Sequence, residues 1–150
     1  MAIVANKRET VREHGGQTDL LQIVIGGSEV LICSSEIREV VRPQPLTRVP
    51  MGPDHILGLA NIHGQIVSII DAGKVSSLPE TAGDPHSRTR FLVLRHPVMH
   101  VGIWVDEVKR LRKVDSQSLK QARTNSENAV FSIEIDGFLF DVLDSPKLFH

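Results

Sequence analysis

The sequence predicts an all-β protein made of two small barrels. From Leu20 onward, short apolar runs rich in Val, Ile and Phe alternate with Gly, Pro, Asp or Ser, which is typical of strands and turns. The pattern occurs twice, and the two halves are offset by 71 to 73 residues. Each half has about five strands, too few for a large open sheet, so closure into a barrel is the simplest way to protect the sheet edges.

The chain contains nine runs that we interpret as strands, and one further segment that fits either a strand or a helix. In that segment Val108, Leu111 and Val114 recur at every third residue, so periodicity leaves its structure open. Short helical turns are expected at 34–36, 71–75 and 144–149, with Asp71, and Asp144 or Ser145, as N-caps. The nine runs are Leu20–Ile25, Val30–Cys33, Ile37–Val41, Ile56–Ile62, Ile66–Ile70, Phe91–Leu94, Val101–Val105, Val130–Ile135 and Phe138–Leu143.

The first two runs are joined by Gly26-Gly27-Ser28, which predicts a hairpin because glycine supplies the positive φ of tight turns. A phosphate-binding loop is the competing interpretation. It is disfavoured because neither GxGxxG nor GxxxxGK[ST] is present and no long helix is predicted after the turn.

The internal repeat is the most informative feature of the chain. Gly64–Lys74 aligns with Gly137–Lys147 in a glycine, four apolar positions, an aspartate and a lysine. Upstream, the segment from Val30 to Val40 aligns with the segment from Val101 to Leu111. Two copies of one β unit are therefore predicted, with an apolar cleft between them.

The expected domain organisation follows from composition. Residues 1–19 are rich in charge and glycine and are predicted to form a flexible tail. Residues 20–149 are predicted to form one domain of two closely packed lobes. The loop 77–88, which contains Pro79, Gly83 and Pro85, is expected to divide these lobes.

Composition argues against several classes of protein. The net charge of -1 and the absence of tyrosine argue against nucleic acid as a partner. No apolar run approaches the roughly 18 residues that a membrane span needs, so no insertion into a membrane is expected. Cys33 is the single cysteine and cannot form an internal disulfide, which fits a reducing cytoplasm.

No catalytic, cofactor or metal site is predicted. His96 and His100 flank Pro97-Val98 in an expected turn, without Cys or Glu at ligand spacing. Asp71 and Asp144 occupy equivalent repeat positions and are better explained as caps than as paired catalytic carboxylates. The nucleophile motif GxSxG is absent.

Several motifs resemble those of CheW-like chemotaxis adaptors. Gly58-Leu59-Ala60-Asn61-Ile62-His63-Gly64, followed by Ile69-Ile70-Asp71, resembles the family's Gly-x-x-Asn-Leu-Arg-Gly and Val-Ile-Asp signature. The segments Glu36–Val40, Val49-Pro50 and Val101–Val108 are similar to further family motifs in the same order. The resemblance extends from about Leu20 to Phe149.

This resemblance implies two packed five-stranded SH3-like barrels and a noncatalytic function in signal transduction. Such an adaptor would couple the cytoplasmic tips of chemoreceptors to a CheA-type histidine kinase, in the cytoplasm, at membrane-associated receptor arrays. A small β-barrel domain that senses a ligand or catalyses a reaction is the alternative. Recovery of a kinase and a receptor from cell extract would favour the adaptor, whereas a bound metabolite without a protein partner would favour the alternative.

The resemblance also implies a protein interface. His63 replaces the family arginine and Ser68 the usual proline, so the charge at the central contact is expected to be weaker and sensitive to pH. Several of the expected contact residues also have a structural interpretation that does not involve a partner. The glycines could serve turns or close packing, and Asn61 could cap a backbone group. The expected interface residues are Ile37, Glu39, Gly58, Asn61, His63, Gly64, Gly102 and Leu111.

Three other features have local interpretations. Trp104 is expected to pack in a core with its indole N–H bonded to an acceptor, and Cys33 to be a small buried hydrophobic residue. The basic residues of 109–113 form either a solvated face or a docking surface for an acidic partner.

Overall fold

The computed structural model describes residues 16–81 and 83–149, which contain ten β-strands and one α-helix, α1 (Ser116–Thr124). Short 3-10 turns occupy Ser34–Glu36, Ala72–Lys74 and Ser145–Leu148, where helical turns were predicted. The strands are β1 (Gln17–Ile25), β2 (Ser28–Cys33), β3 (Ile37–Val41), β4 (Ile56–Ile62), β5 (Gln65–Ile70), β6 (Arg90–Leu94), β7 (Val101–Val105), β8 (Glu107–Asp115), β9 (Val130–Ile135) and β10 (Phe138–Leu143).

The strands form two five-stranded sheets, which confirms the predicted all-β class. Sheet A has the order β8-β1-β2-β10-β9, and sheet B has the order β3-β6-β7-β5-β4. Sheet A contains one parallel pair, β2 with β10, and sheet B contains one parallel pair, β5 with β7. All other neighbouring strands in the two sheets are antiparallel. The two sheets therefore have the same architecture.

The internal repeat is visible in the strand register. Val30 lies opposite Asp141 in sheet A, and Val101 lies opposite Ser68 in sheet B. These pairs correspond under the same offsets of 71 and 73 residues that align the sequence. Strands β1 to β5 are thus equivalent to β6 to β10.

The sheets do not coincide with the two halves of the sequence. Sheet A joins β1 and β2 to β8, β9 and β10, so each half contributes strands to both sheets. The chain crosses between sheets at Ser34–Glu36 and at Asp106. The loop 77–88 connects β5 to β6 inside sheet B, so the expected division of the lobes near this loop is wrong, because β3 pairs with β6 and β8 pairs with β1.

Three apolar clusters hold the molecule together. Leu20, Leu31 and Val142 belong to the cluster inside sheet A, and Val67 and Phe91 belong to the cluster inside sheet B. The third cluster lies between the sheets and takes side chains from the opposite faces of the same strands. Burial on both faces explains why several strands are apolar at consecutive positions.

The segment whose structure the sequence left open is strand β8, which pairs with β1. Helix α1 follows it and was not predicted. Leu119 is its only buried residue, so the segment lacks an apolar stripe of helical period. Strand β1 begins at Gln17, three residues before its predicted start, and the rest of the predicted tail, residues 1–15, lies outside the described residues.

Candidate functional site

Glu39 and His63 meet where sheet B closes on itself. Strands β3 and β4 are the two edges of this sheet, yet His63 Nε2 lies 2.9 Å from Glu39 Oε1. Beside this pair, Arg38 Nη2 donates a hydrogen bond of 3.1 Å to Gln65 Oε1. These side chains connect the edge strand β3 to the β4–β5 hairpin, and two backbone hydrogen bonds between Thr47 and Leu59 join the segment after β3 to β4.

The hairpin turn presents the His63 side chain to solvent. His63 has φ +54° and Gly64 has φ +81°, the left-handed pair that a two-residue hairpin turn requires. The Gly64 N–H donates a 2.9 Å hydrogen bond to Asn61 Oδ1. Asn61 therefore caps a backbone group of the turn, which the sequence analysis gave as the alternative to a contact with a partner. The imidazole remains 75% exposed.

Glu39 supplies a partly buried carboxylate at this surface. Apart from the imidazole, its Oε1 atom is buried without a polar partner in the described part of the chain. A buried carboxylate oxygen without a partner is unfavourable, so the contact with His63 stabilises the local arrangement.

Two of the predicted interface glycines are buried and have packing roles. A Cβ atom on Gly58 would lie 2.9 Å from the Cβ of Leu46, which is closer than neighbouring atoms allow. A Cβ on Gly102 would lie 3.0 Å from the Leu92 carbonyl oxygen. At Gly58 an added Cβ would force a neighbour to shift, and at Gly102 it would press against the backbone of β6, so both glycines serve close packing.

The remaining predicted interface residues are separated in the fold. Ile37 belongs to the core between the sheets. Leu111 is 57% exposed, but it lies on β8 in sheet A. The structure thus brings together Glu39, Asn61, His63 and Gly64, whereas Leu111 marks a second, separate position on the surface.

Three of the four basic residues of β8 have partners within the described residues. Lys109 forms an ion pair of 2.6 Å with Glu29, and its hydrogen bond lowers the pKa of that carboxyl group. Lys113 lies 2.9 Å from Asp19. The Arg112 guanidinium stacks 4.6 Å above the ring of Phe140. These contacts favour a face stabilised by local pairs over a docking surface for an acidic partner.

A buried polar cluster fixes α1 beside the crossing from sheet A to sheet B. Arg123 Nη2 donates to Glu36 Oε2 at 3.0 Å and to Cys33 Sγ at 3.1 Å. Glu36 Oε1 accepts hydrogen bonds from the backbone N–H and hydroxyl of Ser145. Burial raises the pKa of the Cys33 thiol, so this side chain is an inert core group.

Trp104 and Asp106 stabilise the second crossing. The buried Trp104 donates its indole N–H to Asp106 Oδ1 at 3.3 Å, as expected from the sequence. The Gly27 N–H also donates to this aspartate. Asp106 therefore has a structural role.

Within residues 16–81 and 83–149, no three His, Cys, Asp or Glu side chains are grouped so that they could hold a metal ion. In the same ranges, no helix has the length and apolar character needed to cross a membrane.

An apolar groove that sequence reasoning did not identify lies between β5 and the loop before β7. It has a volume of about 380 Å³, and Ile66, Val98 and Met99 contribute exposed side chains to it. The available signal was the presence of Val98 and Met99 in a predicted turn, where polar residues are usual.

Comparisons with known proteins agree on one family. The model of the CheW-like domain matches residues 19–150. "Chemotaxis protein CheW" of Helicobacter pylori is 29% identical over 73% of this chain and 67% of its own length. The protein with the same name in Bacillus subtilis is 26% identical over 69% and 65%, respectively. The chain thus matches about two thirds of the length of these relatives.

A solved structure has the same fold. The scaffolding protein TtCheW from Thermoanaerobacter tengcongensis superposes with a TM-score of 0.73 at 18% identity. The match covers 89% of this chain and 93% of that chain.

Proposed function

The chain belongs to the CheW-like family, and we propose that it couples the cytoplasmic tips of chemoreceptors to a CheA-type histidine kinase. Members of this family are noncatalytic scaffold adaptors, and the family model covers both sheets of the structure. The chain is therefore a chemotaxis adaptor that acts by binding. We expect it to work in the cytoplasm, at membrane-associated receptor arrays.

The observation that carries the proposal is the contact between Glu39 and His63. It brings together Glu39, Asn61, His63 and Gly64 from two parts of the chain on one exposed surface. The hairpin and the closed barrel hold these groups in place, so little conformational entropy is lost when a partner binds. We propose that one of the two partners contacts this surface.

An adaptor needs a second surface that stays accessible when the first is occupied. Leu111 is an exposed apolar residue on β8, in the other sheet. A partner bound at Leu111 and a partner bound at His63 would therefore contact different sheets. We propose that kinase and receptor divide these two surfaces between them.

Binding of purified partners to surface variants tests this proposal. Isothermal titration calorimetry would use the regulatory domain of the cognate kinase and a cytoplasmic fragment of the receptor. Glu39→Lys should weaken binding of one partner and Leu111→Asp binding of the other, whereas Arg110→Gln, an exposed control on β8, should leave both affinities unchanged.

If neither purified partner binds the wild-type protein, the proposed coupling function is wrong. Native mass spectrometry distinguishes the alternative of a ligand-sensing barrel. That alternative requires a small molecule that stays bound to the isolated protein. Membership in the family favours the adaptor.

A further inference from the structure

Both methionines of the described residues lie in exposed connections between strands. Met51 is fully exposed, and Met99 is 42% exposed. Neither belongs to any of the three apolar clusters, although methionine commonly fills gaps in protein cores. Because the thioether sulfur can be oxidised, a methionine outside the core is a position where an oxidant can react.

The backbone on both sides of Met99 is fixed by hydrogen bonds. His96 Nδ1 accepts bonds from the N–H groups of Val98 and Met99, at 3.1 and 2.9 Å, respectively. On the other side, the His100 carbonyl oxygen accepts a 3.0 Å bond from the Ser68 N–H. These bonds hold Met99 at a defined position beside sheet B.

Met99 lies between the apolar groove and a cavity that is lined by cations. It contributes to the groove of about 380 Å³ and also to an adjoining cavity of about 350 Å³, whose wall includes Arg38 and Arg95. Among the described residues, no acidic side chain lines either cavity. Neither arginine forms an ion pair with the described residues. The cavity thus offers N–H donors beside a thioether, which is only a weak acceptor.

We propose that Met99 is a site of reversible oxidation by hydroperoxides such as hydrogen peroxide. The sulfur takes one peroxide oxygen as the O–O bond breaks, and the other oxygen leaves as water with both protons. The sulfur loses two electrons to the peroxide, and the product is methionine sulfoxide. Two thiols of a sulfoxide reductase reverse the step, because they release the oxygen as water and become a disulfide.

The sulfoxide oxygen is a strong hydrogen-bond acceptor in a cavity that otherwise supplies donors. Arg38 and Arg95 carry N–H groups that can donate to it. In the reduced protein Arg38 donates to Gln65 Oε1, next to the turn of His63 and Gly64. Oxidation therefore competes for Arg38 and adds a polar group beside the docking surface around His63. This effect on a partner rests on the proposed function.

Peptide mass spectrometry of the full chain after treatment with hydrogen peroxide tests the site. Met51 and Met99 should each gain one oxygen in the folded protein, and Met51 should react faster because it is fully exposed. The midpoint of urea denaturation should not change, because Met99 lies outside the core. The proposal would be overturned if Met99 stayed unmodified after Met51 had reacted completely. A loss of stability that is absent in Met99→Leu would also overturn it.

Amide NMR spectra of the free protein give a readout that needs no partner. Oxidation of Met99 should shift the signals of Arg38 and Gln65 and leave those of β8 unchanged. Met51→Leu should show the same shifts after peroxide. Met99→Leu, in which the other methionines remain oxidisable, should show none of them. Absence of the shifts in the oxidised wild type would overturn the proposal whether or not a partner binds.

Calorimetry before and after peroxide measures the effect on binding. Oxidation should weaken binding of the partner at the His63 surface by about three- to tenfold, the effect of about one hydrogen bond, and leave the partner at Leu111 unaffected. A sulfoxide reductase with a dithiol should restore the affinity. Unchanged affinity of the oxidised wild type, or equal weakening in Met99→Leu, would overturn the effect on binding. An untreated protein that binds neither partner would contradict the adaptor function alone, because the mass spectra and NMR spectra still decide on Met99.

Discussion

At the scale of single residues, His63 distinguishes this chain from the motif that it resembles. The motif has arginine at this position, whose planar guanidinium carries a permanent charge and five N–H donors, whereas an imidazole is smaller and has two ring nitrogens. His63 is exposed and contacts Glu39, so this difference changes the hydrogen-bonding groups of the proposed docking surface.

We expect His63→Arg to raise the affinity for the partner at this surface by about two- to fivefold at pH 7.5, the effect of an exposed ion pair. Calorimetry with each partner measures this effect. Unchanged affinity for both partners would remove His63 from the interface.

A substitution at Gly58 tests whether this buried glycine of the motif is needed for packing or for contact with a partner. Gly58→Ala should lower the free energy of unfolding by about 1–3 kcal/mol, because the added Cβ forces Leu46 and the Thr47 carbonyl to move. Urea denaturation measures the loss, with the exposed Ser35→Ala as a control. An unchanged unfolding midpoint combined with lost partner binding would instead assign Gly58 to the interface.

At the scale of secondary structure elements, helix α1 depends on its first turn. The Asp115 carboxylate accepts hydrogen bonds of 2.9 Å from the backbone N–H and the hydroxyl of Ser118. The bond from the backbone N–H is the main reason that the pKa of Asp115 lies below its usual value. The charged cap therefore stabilises the folded state above the unfolded pKa, and this contribution disappears as the pH falls through the folded pKa.

Asp115→Ala should accordingly lower the midpoint of urea denaturation at pH 7, and the difference from wild type should vanish in acid. Asp115→Asn is the matched control, because asparagine caps helices without a charge and should retain most of the stability at pH 7. A difference from wild type that persists at a pH well below the folded pKa would contradict this role of the charged cap.

Individual strands were predictable where both of their faces are buried or alternate regularly. Strands β3, β4, β7, β9 and β10 begin and end at the predicted residues. Strand β8 was ambiguous because it is an edge strand whose exposed face carries cations. Helix α1 was missed because its stability comes from the Asp115 cap and the buried bonds of Arg123, neither of which produces an apolar period.

At the scale of the whole molecule, the exchange of strands makes the two barrels interdependent. Sheet A combines β8, β9 and β10 of the second half with β1 and β2 of the first half, and sheet B combines β3, β4 and β5 of the first half with β6 and β7 of the second half. The repeat itself was readable from Gly64–Lys74 and Gly137–Lys147. The exchange of strands could not be predicted from the sequence. Alternation of apolar residues specifies which face of a strand is buried, but it does not specify which strand pairs with it.

This exchange predicts that the protein unfolds as one cooperative unit. Calorimetric and van't Hoff enthalpies should agree, and a fragment of residues 16–81 should not fold until it is mixed with residues 83–149. Circular dichroism of the separate and mixed fragments measures this. Two resolved thermal transitions, or an independently folded fragment, would show that each half closes on its own.

The most direct test of the account is whether one copy of the chain binds both signalling partners at once. Size-exclusion chromatography with light scattering would use the purified chain, the regulatory domain of the kinase and the receptor fragment. An adaptor with separate surfaces in sheets A and B should yield a complex that contains all three components. Displacement of one partner by the other, or failure to bind either, would contradict the account.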